Sequence, residues 1–430
     1  MQTPPSDTEG TAANELTGGR RSMYELGQRF TIPNLSRHLY VIGRSGAGKT
    51  VLLENLARQL RDGFALLDPH GDSAERCLDF LDPDRSIYFD AGDLSHSIGW
   101  NPLQNVLPDD HYLVASQVVL SLKAIWGDSW GPRMEYILLA SVMLLLGRKG
   151  SLVQLPRLLS DRAFRDQITR KLSLDPFLRE VWVTEFANKD RHWWEEAISP
   201  IQNKIGVIML SPHLRQVLGQ PSTIDLRHVM DAGKILVCNL AKGRLGMAAN
   251  LLGSLLVSAF YRAAESRIDT PEEQRRPFTL IADEFQNFAT DSFEEILSES
   301  RKWKLQLVAS HQTLSQIPPE LQDALLANVG TLVAFRVGGK DARRLADEFV
   351  FTRPLSPSDE IEQDAWSFLV ATPRFHAWMK DHDYASEPRL IPTIPPSPPL
   401  GRADAVKRHS RACYGRPRCD VEARLRQLLT

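Results

Sequence analysis

The stretch that decides the fold is Leu39-Tyr40-Val41-Ile42-Gly43-Arg44-Ser45-Gly46-Ala47-Gly48-Lys49-Thr50. An apolar run ends in a glycine-rich turn, and the turn opens a helical stretch, Lys49–Leu60. The turn fits G-x4-G-K-[ST], and its strand-before, helix-after context is the one this pattern needs to bind phosphate. Glycines let the backbone wrap an anion with its N–H groups, because a Cβ would block the approach. The helix N-terminus beneath adds partial positive charge. Gly43, Arg44, Ser45, Gly46, Ala47, Gly48, Lys49 and Thr50 are therefore the candidate cradle. Lys49 reaches the terminal phosphates, and the Thr50 hydroxyl holds Mg2+.

Outward from this turn the pattern repeats in kind. Strand-like runs follow at Phe64–Asp68 and Ser86–Phe89, then, after a gap, at Lys234–Leu240, Phe278–Asp283, Leu305–Ala309 and Thr331–Val337. Helical stretches lie between the later runs, at Met247–Ala264, Ser292–Trp303 and Pro319–Asn328. Alternation of this kind predicts an α/β fold with a mostly parallel sheet covered by helices on both faces. Ser367–Ala371 and Ala377–Lys380 read as a final edge pair of strands. Across the gap, residues 103–230, the apolar spacing is helical, which predicts an all-helical insertion. Trp126, Trp130, Trp182, Trp193 and Trp194 lie in it, as core packing or as a stacking surface. The expected organisation is a disordered lead-in (1–30), a first core part (31–102), the helical lobe (103–230) and a second core part (231–390). A Pro-rich linker and basic tail (391–430) complete it.

The second chemical signal is Phe278-Thr279-Leu280-Ile281-Ala282-Asp283-Glu284. A buried strand delivers two adjacent carboxylates to the sheet's carboxyl edge, where ligands bind in open α/β sheets. Asp283 is suited to hold Mg2+, and Glu284 to polarise an attacking water as general base. The next strand ends in Ser310-His311-Gln312, and the Gln312 amide can sense a γ-phosphate; His311 reads as a packed bystander. Arg301 ends the intervening helix, where a cation suits the macrodipole or serves as a finger into a neighbour's nucleotide. Arg133 and Arg336 are lesser candidates for that role. Asp68-Pro69-His70-Gly71-Asp72 is a turn at the same sheet edge, with two carboxylates able to tune a magnesium shell or meet a neighbouring subunit.

Composition narrows the class. The 430 residues carry 51 Lys/Arg against 53 Asp/Glu, a net charge of −2, which excludes a protein that coats nucleic acid with its whole surface. The charge is uneven: residues 401–430 hold eight Lys/Arg and three Asp/Glu, so the tail is +5 and the remainder −7. That tail, with a short helix expected at its end, Val421–Leu429, reads as a solvated end or as a phosphate- or partner-contacting arm. Cys413 and Cys419, with His409 nearby, are spaced too loosely for a zinc site, and free thiols fit a reducing compartment. Residues 1–22 are polar, unlike a signal peptide. The apolar stretches Tyr136–Gly147 and Asn250–Tyr261 fall short of the roughly 20 residues a membrane span needs, so a soluble protein with no transmembrane segment is expected.

Taken together, the stretches 36–50, 66–72, 130–138, 225–246, 278–290, 300–316 and 326–342 resemble the FtsK–HerA superfamily of RecA-like P-loop ATPases. More closely, the chain resembles the ATPase part of type IV secretion (conjugative) coupling proteins, over about residues 30–350. The resemblance implies a RecA-like core with a helical insertion, ATP and Mg2+ as cofactors, a hexameric ring, and DNA moved through its pore. It implies that Lys49, Thr50, Asp283 and Glu284 are the nucleotide motifs, Gln312 the polar sensor, and Arg301 the trans-acting arginine. It also implies secretion-channel or relaxosome proteins as partners of the helical lobe. Coupling proteins usually carry N-terminal transmembrane helices; without them, a cytoplasmic location, or a peripheral one at the membrane through a partner, is expected. The alternative function is a nucleotide-gated module that recruits a protein to a secretion or DNA-processing machine. A GTPase switch fits less well, because the Asp283-Glu284 pair and the lack of an N-K-x-D motif both speak against it.

Overall fold

The computed structural model describes residues 23–25, 31–33, 37–170, 175–290, 292–349, 365–382, 387–395 and 398–429. Nine strands form the central sheet: β1 (His38–Ile42), β2 (Gly63–Asp68), β3 (Ser86–Asp90), β4 (Ile235–Asn239), β5 (Phe278–Ala282), β6 (Leu305–His311), β7 (Val329–Ala334), β8 (His376–Asp381) and β9 (Arg389–Pro392). Their spatial order is β9-β8-β7-β1-β6-β5-β2-β4-β3. All pairs from β7 to β3 are parallel, and β8 and β9 add an antiparallel edge. The chain leaves β1, passes two places and enters β2, so β6 and β5 later fill the gap. That insertion is what brings distant segments of sequence to one edge.

The parallel strands are short apolar runs because both their faces are buried. In β1, Leu39 and Val41 pack on one side with Leu52, Leu56 and Val333. Tyr40 and Ile42 face the other, into a cluster continuous with the apolar core of the helical lobe. The first side is covered by helix α1 (Lys49–Gln59) and the helix Asp72–Leu78. The second is covered by the helix Met247–Glu265, of which fourteen residues are buried. With the turn after it, Met247–Asp269 is long and apolar enough by composition to cross a membrane, but 78% of its most apolar window is buried inside the protein. The sequence reading stopped this run at Arg262 and so counted it short.

The helices of the lobe run from His111–Trp126 to Leu226–Asp231. Its aromatic residues cluster on Phe186, whose ring centroid lies 5.1 Å from Trp182, 5.5 Å from Trp194 and 5.7 Å from Tyr136. They are packing.

Two expectations are corrected, and a third falls almost wholly outside the described residues. Ser367–Ala371 lies in a helix, Ala365–Ala371, and β8 pairs with β9 instead; a five-residue apolar run has no period that separates strand from helix. The lead-in lies mostly outside the described residues, but Met23–Glu25 pairs antiparallel with Thr31–Pro33. The basic tail has its expected terminal helix, Arg418–Leu429, but adds a second, Ala403–Tyr414, and is docked on the fold. Val406 and Ser410 are buried, and Ser410 Oγ accepts the N–H of Tyr88 at 2.8 Å. The tail thereby caps edge strand β3, whose outer backbone groups need a partner. Its cations meet the core's acids: Lys407 lies 2.9 Å from Glu75 and Arg411 2.9 Å from Asp93.

Candidate active site

The loop 43–48 leaves β1 at the carboxyl edge of the sheet. Its position is fixed by its neighbours, since Gly43 N donates to His311 O at 3.3 Å and Arg44 N to Arg336 O at 2.8 Å. Gly46 has φ +71° and faces open space, so only backbone lines the loop there. Gly48 has φ +125°, and a Cβ on it would stand 2.9 Å from the Phe335 ring and 3.2 Å from the Phe375 ring. Only glycine satisfies both the conformation and the close approach. Lys49 starts α1, is buried, and donates from Nζ to Gly43 O at 2.6 Å and Arg44 O at 3.2 Å. Burial lowers its pKa, and the charges of Asp283 and Glu284 oppose that shift. Thr50 lies in the first turn of the same helix.

Asp283 and Glu284 follow β5 at the same edge. Asp283 N donates to Leu67 O at 3.1 Å, which seats the carboxylate beside β2. Asp68, at the end of β2, is 3% exposed and accepts from His70 N and Ala74 N. Burial, and then the charge of Asp68, push the Asp283 carboxyl up to about 6. Two buried carboxylates that repel in this way fit a divalent cation, whose charge relieves both.

Glu284 has φ +46°, a left-handed backbone that is strained for a residue with a side chain. Both carboxylate oxygens are engaged. Gln312 Nε2 donates to Oε1 at 2.9 Å, and His70 Nε2 lies 3.0 Å from Oε2. Asn287 Nδ2 donates to Glu284 O at 2.8 Å, and Lys242 Nζ bonds Asn287 Oδ1 at 2.5 Å. Of these partners, Lys242 and Asn287 escaped the sequence reading. Their only signal is nearness to the acidic strand end and the turn after β4.

The other candidates separate. His311 belongs to β6 and is buried between Tyr40, whose hydroxyl meets Nε2, and the Phe285 ring at 4.8 Å. Burial, and then the charge of Lys49, hold it down to about 3, so it is neutral. Arg336 donates from Nε to Thr372 O at 2.8 Å, next to the loop. Arg133 lies in the helical lobe, 3.8 Å from Glu196. Arg301 is exposed in the turn Ser300–Trp303, before β6 begins. It is at the amino edge, where its charge acts on His38. The seven residues of β6 put about 20 Å between the two edges. Arg301 is therefore remote from its own chain's loop.

A glycine-rich loop opening α1, two acidic strand ends beside it and a mostly parallel sheet define an α/β P-loop nucleotide-binding fold. Among solved structures, the chain is similar to the plasmid coupling protein TrwB in complex with ADP and Mg2+, with a TM-score of 0.64, 19% identity, and 90% of this chain and 98% of that one covered. The trigonal form of the same bacterial conjugative coupling protein, in complex with sulphate, gives a TM-score of 0.61 at 18% identity, over 90% and 92% of the two chains. VirB4 of Thermoanaerobacter pseudethanolicus gives 0.54 at 13%, over 90% and 99%. No protein-family model matches the sequence, and neither does any curated protein. The chain thus shares the α/β P-loop fold of these solved structures.

Proposed function

We propose that the protein is an ATP-dependent DNA translocase of the conjugative coupling-protein type, hydrolysing ATP between subunits of a hexameric ring. The observation that carries this reading is the division of the candidate residues. Lys49, Asp283, Glu284 and Gln312 share the carboxyl edge, while Arg301 is exposed at the opposite one. A cation so placed serves a nucleotide only if the nucleotide belongs to a neighbour.

Backbone N–H groups of Ser45, Gly46, Gly48 and Lys49, with the Lys49 ammonium, bind the phosphates, since those of Arg44 and Ala47 are held by Arg336 O and Arg44 O. Thr50 and Asp283 would hold Mg2+, which would neutralise phosphate charge when bound. Glu284 accepts the proton of the attacking water, and Gln312 orients the carboxylate and reads the γ-phosphate. Arg301 from the next subunit stabilises charge in the transition state. The near-neutral total charge is compatible with DNA, because a pore needs only a few cations per subunit repeated around a ring. A cytoplasmic location, or a peripheral one through a membrane partner, accompanies this reading.

The test is ATPase rate against protein concentration, with and without single- and double-stranded DNA. A rate per subunit that rises with concentration and with DNA is expected. A rate strictly proportional to concentration into the dilute range, indifferent to DNA, overturns the reading. One observation favours the recruiting module as a second reading. The helical lobe holds a cavity of about 490 Å3 lined by Arg162, Arg165, Lys189 and Arg191, by Asp166 and Glu195, and by Trp182 and Trp194, a wall of both charges and aromatic rings suited to a protein segment. ATPase activity that a protein partner stimulates and DNA does not would select it.

A further inference from the structure

The loop between the helix Ala365–Ala371 and β8 lies directly on the glycine-rich turn. Phe375 N donates to Ala47 O at 2.9 Å, and Arg374 Nε donates to Gly46 O at 3.1 Å. Phe375 has φ +62°, a conformation that side chains disfavour. It is held there from two sides, because its carbonyl also accepts from Thr393 N at 2.7 Å and Thr393 Oγ1 at 2.9 Å. The ring abuts Gly48 yet stays 43% exposed, and the Arg374 guanidinium stands 4.7 Å from its centroid. A strained backbone, pinned by the β9 exit and the phosphate loop, thus presents an aromatic face to solvent at the mouth of the site.

We propose that Phe375 is the platform for the nucleobase and Arg374 its companion. This rests on reading the loop 43–50 as a nucleoside triphosphate site. Every base has a π-face, so stacking on a ring binds purines without reading their edges. The guanidinium is planar and stacks on aromatic faces itself, so a base takes its place on the ring. Arg374, displaced from the ring, then keeps its charge beside the loop. The device selects for a nucleoside over free polyphosphate, and not for adenine over guanine.

Binding of ATP, GTP and inorganic tripolyphosphate to the full chain, measured by calorimetry, tests this for the wild type, Phe375→Ala and Phe375→Trp. Phe375→Ala is expected to weaken ATP and GTP alike, by about tenfold, and to leave tripolyphosphate unchanged. Phe375→Trp is expected to keep nucleotide affinity. Retained tripolyphosphate binding also shows that the loop still folds. Unchanged nucleotide affinity in Phe375→Ala, or an equal loss of tripolyphosphate, overturns the platform while leaving the triphosphate site standing. A wild-type chain that binds none of the three overturns both.

Discussion

Gln312 Nε2 and Glu284 Oε1 meet at 2.9 Å across two adjacent strand ends, one following β6 and the other β5. The contact joins residues 28 positions apart and fixes one oxygen of the proposed general base. Gln312→Ala should therefore lower kcat by about 10²-fold, in the range for a displaced acid–base group, and change KM for ATP little. Steady-state kinetics check this. A large rise in KM at constant kcat would make Gln312 a binding residue instead.

His70 takes the other oxygen of Glu284 at 3.0 Å, with its side chain 53% exposed. An exposed hydrogen bond contributes modestly, so His70→Ala should reduce kcat only about three- to tenfold. His70→Gln keeps a donor and should recover most of the loss. Equal losses in both variants would assign His70 to the fold of its turn.

The phosphate loop and the apolar strands were legible because their signals are local: a motif of eight residues, and short runs between turns. The placing of Asp68 and Asp283 at one sheet edge was legible too, but their direct adjacency was not. It depends on β2 lying next to β5, a neighbour relation set by a crossover that no local period encodes. The tail was misread for the same reason. Its proline-rich approach and basic charge describe a free arm, but Val406 and Ser410 find a strand edge more than 300 residues earlier. Arg374 and Phe375 carry no motif, and only the packing of their loop on Ala47 and Gly48 distinguishes them.

Docking of the tail carries a stability prediction. Val406 is fully buried against the sheet, so Val406→Asp places an unpaired charge there. The cost should be about 3 kcal/mol or more, read as a lower urea midpoint. Arg408→Ala, at an exposed position on the same helix, should stay within about 0.5 kcal/mol. If the two variants unfold alike, the tail does not contribute to the cooperative unit.

His38 predicts a pH dependence. Its Nδ1 accepts from Leu307 N at 3.0 Å, and it is 4% exposed. Burial lowers its pKa from 6.5 to about 4, with hydrogen bonds to the backbone at Leu297 and Ile296 opposing. The folded state therefore disfavours the proton. The stabilisation is complete above pH 6.5 and is lost as pH falls toward 4, about 2 kcal/mol between pH 7 and 5. His38→Asn keeps an acceptor but does not titrate. The wild type should lose about 2 kcal/mol more than this variant over that interval, by urea unfolding. Parallel profiles would show that His38 carries no proton linkage.

Arg301 carries the most consequential prediction, because it decides whether the site is complete in one chain. It is exposed at the amino edge, about a strand length from Lys49, and the proposed ring gives it a neighbour's nucleotide as its target. Arg301→Ala alone should lose about 10³-fold in kcat, as trans-acting arginines do, and Lys49→Ala should be equally inactive. Mixing the two restores what neither has. In a ring of head-to-tail interfaces, roughly a quarter then pair an intact Lys49 with an intact Arg301. The mixture should regain activity in proportion, measured at a concentration where the wild type is assembled. A mixture no more active than its two components would remove Arg301 from the neighbouring site.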